Sequence, residues 1–174
     1  MATLPSSVTA PSVVEFVTGW GLTGAPALIS YTDHGYGPDW CHVSSKAHAL
    51  KYKGRRVHGW ALWEFGDGGA TGNFHSVWED ASGLLVDLTP PKYGSGETLF
   101  VRDPTVKIVA NLGFFEMPHN RLAIGPQQIL LDPFTGDIAQ SPHWQLTASN
   151  PAFAAYCALH ELPISKFATD PAQG

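Results

Sequence analysis

Apolar and polar positions are not spread evenly along the chain, and residues 73–90 carry one of its clearest patterns, two short runs separated by a polar turn. Residues 73–79 and 84–89 are rich in aromatic and β-branched types, and Asp80, Ala81, Ser82 and Gly83 between them form a turn cluster, so the stretch reads as a β-hairpin. Folding the chain back through that turn places Asp87 opposite His75 or one step diagonal to it. Directly opposed residues in an antiparallel pair lie about 4.5 to 5.5 Å apart at Cβ, close enough for a carboxylate to accept a hydrogen bond from an imidazole. Upstream, residues 56–65 are dense in aromatic and aliphatic side chains and predict a strand, and 66–72 form a glycine-rich loop. Three consecutive antiparallel strands are therefore expected, with Trp60 and Trp63 beside the strand that carries His75.

Between residues 40 and 53 the pattern changes period. Val43, Ala47 and Leu50 recur at offsets of four and three while Ser44, Lys46 and Lys51 fall on other faces, which predicts a helix with Asp39 as N-cap and Gly54 as its stop. Cys41 then lies in the first turn, where unpaired backbone N–H groups and the positive end of the helix dipole stabilise a thiolate. The remaining segments are less marked. Residues 1–11 read as extended, 13–17 as a strand or a helical turn, and 31–40 as a loop. Strands are expected at 98–102 and 106–110, irregular chain over 111–128 with a short strand at 128–131, and 142–146 is ambiguous. A last helix is expected from Asn150 or Pro151 to Leu162, because Asn-Pro makes a good cap and first-turn pair and Pro163 ends it.

Composition narrows the picture. The chain has 174 residues, 44% hydrophobic and 14% charged, which suits one domain over 1–174 with its core in 31–110 and a C-terminal extension bearing the helix near 150–162. Eighteen glycines and 14 prolines favour turns and short strands, hence an α+β domain. A net charge of −5 with no basic stripe gives counterion release little to act on, which argues against a nucleic-acid partner. The first residues lack a secretory signal and no apolar run is long enough for a bilayer, so no membrane partner and a cytoplasmic location are expected. The two cysteines, Cys41 and Cys157, are expected as free thiols, one of them functional.

Cys41, His75 and Asp87 together supply what thiol catalysis requires. A thiolate attacks, an imidazole takes the proton and later returns it to the leaving group, and a carboxylate fixes the imidazole's tautomer. Trp40-Cys41 opening a helix, followed by His75-Ser-Val-Trp78-Glu79 and, after a glycine turn, Leu85-Val-Asp87-Leu-Thr89-Pro90, resembles the papain-like cysteine enzymes in their transglutaminase-like branch, over roughly residues 36–90. The resemblance implies a Cys-bearing helix packed on an antiparallel sheet, with Cys41 as nucleophile, His75 as general base and acid, and Asp87 as the orienting carboxylate. The reaction implied is acyl transfer through a thioester, with hydrolysis of an amide in a peptide, protein or small molecule expected over transamidation because water is always available. The Cys41 N–H is the first oxyanion donor by helix-terminus geometry, with a second sought in the 31–36 loop.

Trp40, Trp63 and Trp78 are candidates for binding substrate or shielding the His75–Asp87 pair. Two other classes compete: an inactive domain of the same fold that binds a peptide or protein through its Trp-rich sheet, and a zinc-binding protein. His34, Cys41, His42, His48, His58 and His75 lie in one region, and Cys157 and His160 form a Cys-x-x-His pair, but their spacing fits no tight ligand pattern. Adjacent helical residues point apart, so His42 is not expected at the Cys41 sulfur, and neither a metal nor a cofactor is expected.

Overall fold

A computed structural model describes residues 1–171 and places three α-helices and ten strands in an α+β arrangement. In chain order these are α1 (Pro11–Gly19), β1 (Pro26–Ser30), α2 (Cys41–Tyr52), β2 (Arg55–Glu64), β3 (Ala70–Glu79), β4 (Leu85–Val86), β5 (Glu97–Arg102), β6 (Val109–Asn111), β7 (Phe114–Pro118), β8 (Asn120–Ile124), β9 (Gln127–Leu131), β10 (His143–Thr147) and α3 (Pro151–Leu159), with single 3-10 turns at Lys92–Gly94 and Ile164–Lys166. The larger sheet runs β1-β5-β2-β3-β8-β9, with β4 also on β3, and the smaller runs β10-β7-β6. Every ladder is antiparallel. No helix is long and apolar enough to cross a membrane among the described residues.

β2 and β3 form the axis of the large sheet, paired along their whole length from Arg55 with Glu79 to Glu64 with Ala70. Side chains alternate across the sheet. One face carries Trp60, Leu62, Phe74, Leu99 and Val101 into the main core, where they meet Val13 and Phe16 of α1, Val43 and Ala47 of α2, and Phe153 of α3. The other face holds a small cluster of Ile29, Val57, Val77 and Phe100. The main core thus reaches beyond residues 31–110 at both ends, to Ala10 on one side and Phe167 on the other.

The outer edge of β3 is where the site is built. β8 pairs it only at Ala70, Thr71 and Gly72, and β4 only at Trp78 and Glu79, so residues 73–77 face no strand there among the described residues. Edge backbone groups removed from water need other partners. The Phe74 N–H donates to Asn120 Oδ1 at 3.1 Å, and the Ser76 carbonyl accepts from Ser45 Oγ of α2 at 3.0 Å. The Cys-bearing helix therefore docks on the sheet through the break in this edge.

Several expectations change. The 73–90 hairpin is shorter than predicted: β4 is two residues long, and its register of Trp78 with Val86, if continued, sets Asp87 against Val77 and diagonal to His75. At Asp87 the chain turns away to bridge Tyr31 in parallel, with the Asp87 N–H donating to the Ser30 carbonyl at 3.2 Å. Residues 13–17 are helical, with Pro11 at the first helical position. β1 was not anticipated, the strand expected at 106–110 begins only at Val109, and 111–128 is not irregular but holds β7, β8 and the start of β9. Residues 142–146 belong to β10, and α3 stops at Leu159, with Asn150 accepting from the Phe153 N–H as the expected cap.

The cap and the buried face of α2 also differ. Asp39 lies at φ 67°, in the left-handed region, and Trp40 is the N-cap without a side-chain cap bond. Leu50 is exposed, whereas Ser44, Ser45, Lys46 and His48 are buried. The helix meets polar groups on this side, and their hydrogen bonds decide which face turns inward.

Gly59 pairs with His75 across β2 and β3, and a Cβ there would sit 2.1 Å from the Val101 carbonyl oxygen and 2.6 Å from Phe100 Cζ. Gly59→Ala is expected to cost about 1 to 3 kcal/mol through overpacking, read as a lower urea midpoint at unchanged slope.

Candidate active site

Cys41 is the first residue of α2, and α3 holds that end in position. The Tyr156 hydroxyl accepts from the Gly37 N–H at 2.9 Å and lies 3.0 Å from Ser44 Oγ, while its ring stacks on Trp40 with centroids 5.3 Å apart. The loop before α2 and its first turn are thus fastened to one side chain. As the first helical residue, Cys41 keeps a backbone N–H with no intrahelical acceptor.

His75 and Asp87 are joined directly, His75 Nε2 lying 2.9 Å from Asp87 Oδ2. Asp87 has no exposed surface, and its carboxylate also accepts from Thr98 Oγ1 at 2.7 Å and from the Thr89 N–H at 3.0 Å. With Nε2 committed to Asp87, Nδ1 is the ring nitrogen left for the Cys41 sulfur, which lies in hydrogen-bonding reach of the His75 ring. Burial works to raise the Cys41 pKa, but the adjacent His42 and His75 imidazoles outweigh it and hold the thiol well below its usual range. Burial would lower the His75 value, and Asp87 and Cys41 together hold it well above the usual imidazole range. The two shifts run in opposite directions and each favours the charged form of its group, with the Asp87 carboxylate behind the imidazole.

Cys41, His75 and Asp87 all line a cavity of about 920 Å³. Trp40 and Trp63 line it, along with Met117, Phe134, Trp144 and Leu146. Trp63 is buried and meets the Tyr93 ring edge-on with centroids 5.0 Å apart. Trp78 does not belong with them. Its indole N–H donates to the Lys53 carbonyl at 2.8 Å and its ring meets His48 at 4.6 Å, so it seals the far end of α2. Three positions separate Trp78 from His75 on one strand, an odd spacing that turns them to opposite faces.

The 31–36 loop does not line the cavity, and the Tyr36 hydroxyl instead pairs with His48 Nδ1 at 3.2 Å. Asn73, Thr98 and Asn120 do line it, although none stood out in the sequence. Asn73 could have been found, since it lies two residues before His75 and shares its face. Thr98 and Asn120 arrive from remote strands with no local signal. His42, expected to point away, instead acts on the Cys41 thiol and helps to lower its pKa. Cys157 is buried in the main core, and burial pushes its thiol up to about 11. Among the described residues no three His, Cys, Asp or Glu side chains converge as a metal-binding group.

Iodoacetamide is expected to alkylate Cys41 near pH 6, well before Cys157, with peptide mass mapping of each site as the readout. Stability should also fall in acid. Burial pushes the imidazoles of His58 and His48 down to about 4, so between 6.5 and 4 the unfolded chain binds protons that the folded chain refuses, and stability is lost as the pH falls through that window. His58 alone accounts for about 3 kcal/mol of the loss, measurable as a falling urea midpoint. In comparisons with protein-family models, curated proteins and solved structures, none matches this chain.

Proposed function

We propose that the protein is a cysteine-dependent acyl-transfer enzyme of papain-like, transglutaminase-like type that hydrolyses an amide through a thioester on Cys41. The observation that carries this reading is the single imidazole of His75, bonded on one side to a buried carboxylate and reaching on the other a sulfur at a helix N-terminus.

In the proposed cycle the Cys41 thiolate adds to the amide carbonyl carbon, and the oxygen that gains charge faces the free Cys41 N–H. The His75 imidazolium passes its proton to the departing amine as the C–N bond breaks, leaving an acyl thioester and a neutral imidazole. Water then gives a proton to His75 while its oxygen attacks the thioester. The C–S bond breaks, the acid leaves, and the thiolate–imidazolium pair is restored. Asp87 keeps Nε2 protonated throughout, which leaves Nδ1 to exchange the proton. The largely aromatic and aliphatic cavity walls favour a peptide, protein or small amide with an apolar acyl side.

A panel of coumarin amides with aromatic or aliphatic acyl groups tests this, with hydroxylamine added to trap the thioester as a hydroxamate. Cys41→Ala and His75→Ala are expected to lower kcat/KM by on the order of a thousandfold or more with folding retained, and Asp87→Asn to leave partial activity. Activity should fall in acid as the thiolate is protonated and in alkali as the imidazolium loses its proton. Full turnover by Cys41→Ala would end the reading, and tight binding of the amides without release of coumarin would instead mark a binding domain.

A further inference from the structure

A second line of polar groups, buried at Ser76 and His58, runs to His42, the residue next to Cys41. His42 Nδ1 lies 2.6 Å from Ser76 Oγ, Ser76 Oγ lies 2.8 Å from His58 Nδ1, and His58 Nε2 lies 3.1 Å from Asp170 Oδ2. Asp170 enters from the segment after the Ile164–Lys166 turn and is clasped by the wholly buried Arg56, whose Nε is 3.1 Å from Oδ1 and whose second terminal nitrogen is 2.5 Å from Oδ2. Arg56 also donates to the His42 carbonyl at 3.0 Å, so one guanidinium ties both ends of the line together.

The hydrogens in this line can run only one way. Ionised Asp170, its pKa held below the usual carboxylate range by His58 and Arg56 against the opposing effect of burial, accepts and cannot donate, so His58 Nε2 carries a proton. Burial keeps His58 neutral, pushed down to about 4, so its Nδ1 carries a lone pair and the Ser76 hydroxyl donates to it. A hydroxyl has one proton, and toward His42 the same oxygen accepts. His42 Nδ1 therefore donates, which leaves Nε2 as the basic nitrogen of a ring that lies in hydrogen-bonding reach of Cys41.

We propose that His42 is a second base for the Cys41 thiol, oriented by the relay from Ser76 through His58 to Asp170, so that ionisation of the thiol does not depend on His75 alone. In the transfer one S–H bond breaks, one N–H bond forms on His42 Nε2, and the electron pair stays on sulfur. Ser76, His58 and Asp170 are positioning residues, because they act through His42. The charged and titratable groups facing this site come from every side: Arg56 and His58 on β2, His75 on β3, Asp87 after β4, Lys46 within α2, and Asp170 with Lys166 on the C-terminal segment. Burying such an array is a poor source of stability compared with apolar packing. Its one-way order toward the sulfur gives it a chemical use.

This assignment rests on Cys41 being the activated thiol, and the pH-rate profile of its alkylation by iodoacetamide in the full chain separates the two claims. The wild type and His75→Gln should both react faster at pH 7 than an ordinary cysteine. Adding Ser76→Ala or Asp170→Asn to His75→Gln should slow the pH 7 rate about tenfold and return the profile to that of an ordinary thiol. Asp170→Asn also strips Arg56 and Lys46 of their counter-charge, so Ser76→Ala, which leaves that cluster intact, is the deciding variant. An unchanged profile on adding Ser76→Ala to folded His75→Gln would overturn the role of His42, and so would an ordinary profile in His75→Gln itself. An ordinary profile in the wild type would instead remove the activated Cys41 on which both claims stand.

Discussion

A carboxylate with no exposed surface has to recover from protein donors what it loses in water, and Asp87 draws those donors from three separate places. Thr98 comes from β5, His75 from β3, and the Thr89 N–H from the chain just beyond. The backbone of Asp87 meanwhile bridges Tyr31 at the end of β1. Satisfying one buried charge thus fixes the meeting point of β1, β3, β5 and the chain leaving β4. The imidazole orientation that thiol chemistry needs follows from that constraint.

The break in the β3 edge is the second determinant. A continuous neighbour along residues 73–77 would leave α2 no backbone groups to bind, and its first turn would have no reason to sit beside His75. Because Ser45 reaches the Ser76 carbonyl, the helix buries serines and Lys46 where an ordinary core helix would bury leucines. Its face toward the sheet is therefore selected by hydrogen bonding as well as by apolar packing, and the same arrangement brings His42 into line with Ser76.

Features set by short-range pattern were legible in the sequence. The helix bearing Cys41, the strands around Trp60, His75 and Phe100, and the Asn150 cap all follow from local periodicity or turn chemistry. The His75–Asp87 pairing was readable because 12 residues and one turn separate the two. Partners brought from far away were not legible. No local signal marks Asp170 as the carboxylate for Arg56, Asn120 as the acceptor for a bare strand edge, or Lys46 as a buried side chain. β7 and β8 are interrupted by Pro118 and flanked by glycines, which hid their strand character. Trp63 and Trp78 have the same chemistry, and only register distinguishes the one that lines the cavity.

The distances along the chain also order events in time. β2 and β3 are joined by a short loop and can zip together locally, whereas the Arg56–Asp170 contact closes 114 residues and the Lys46–Thr169 contact 123. Long closures cost more chain entropy before they return any stabilising contact. A refolding chain should accordingly complete its central hairpin before the C-terminal segment docks beneath α2. Thiol reactivity would then lag the recovery of sheet structure, and the environment of Cys41 would be complete only once the segment carrying Thr169 and Asp170 had docked.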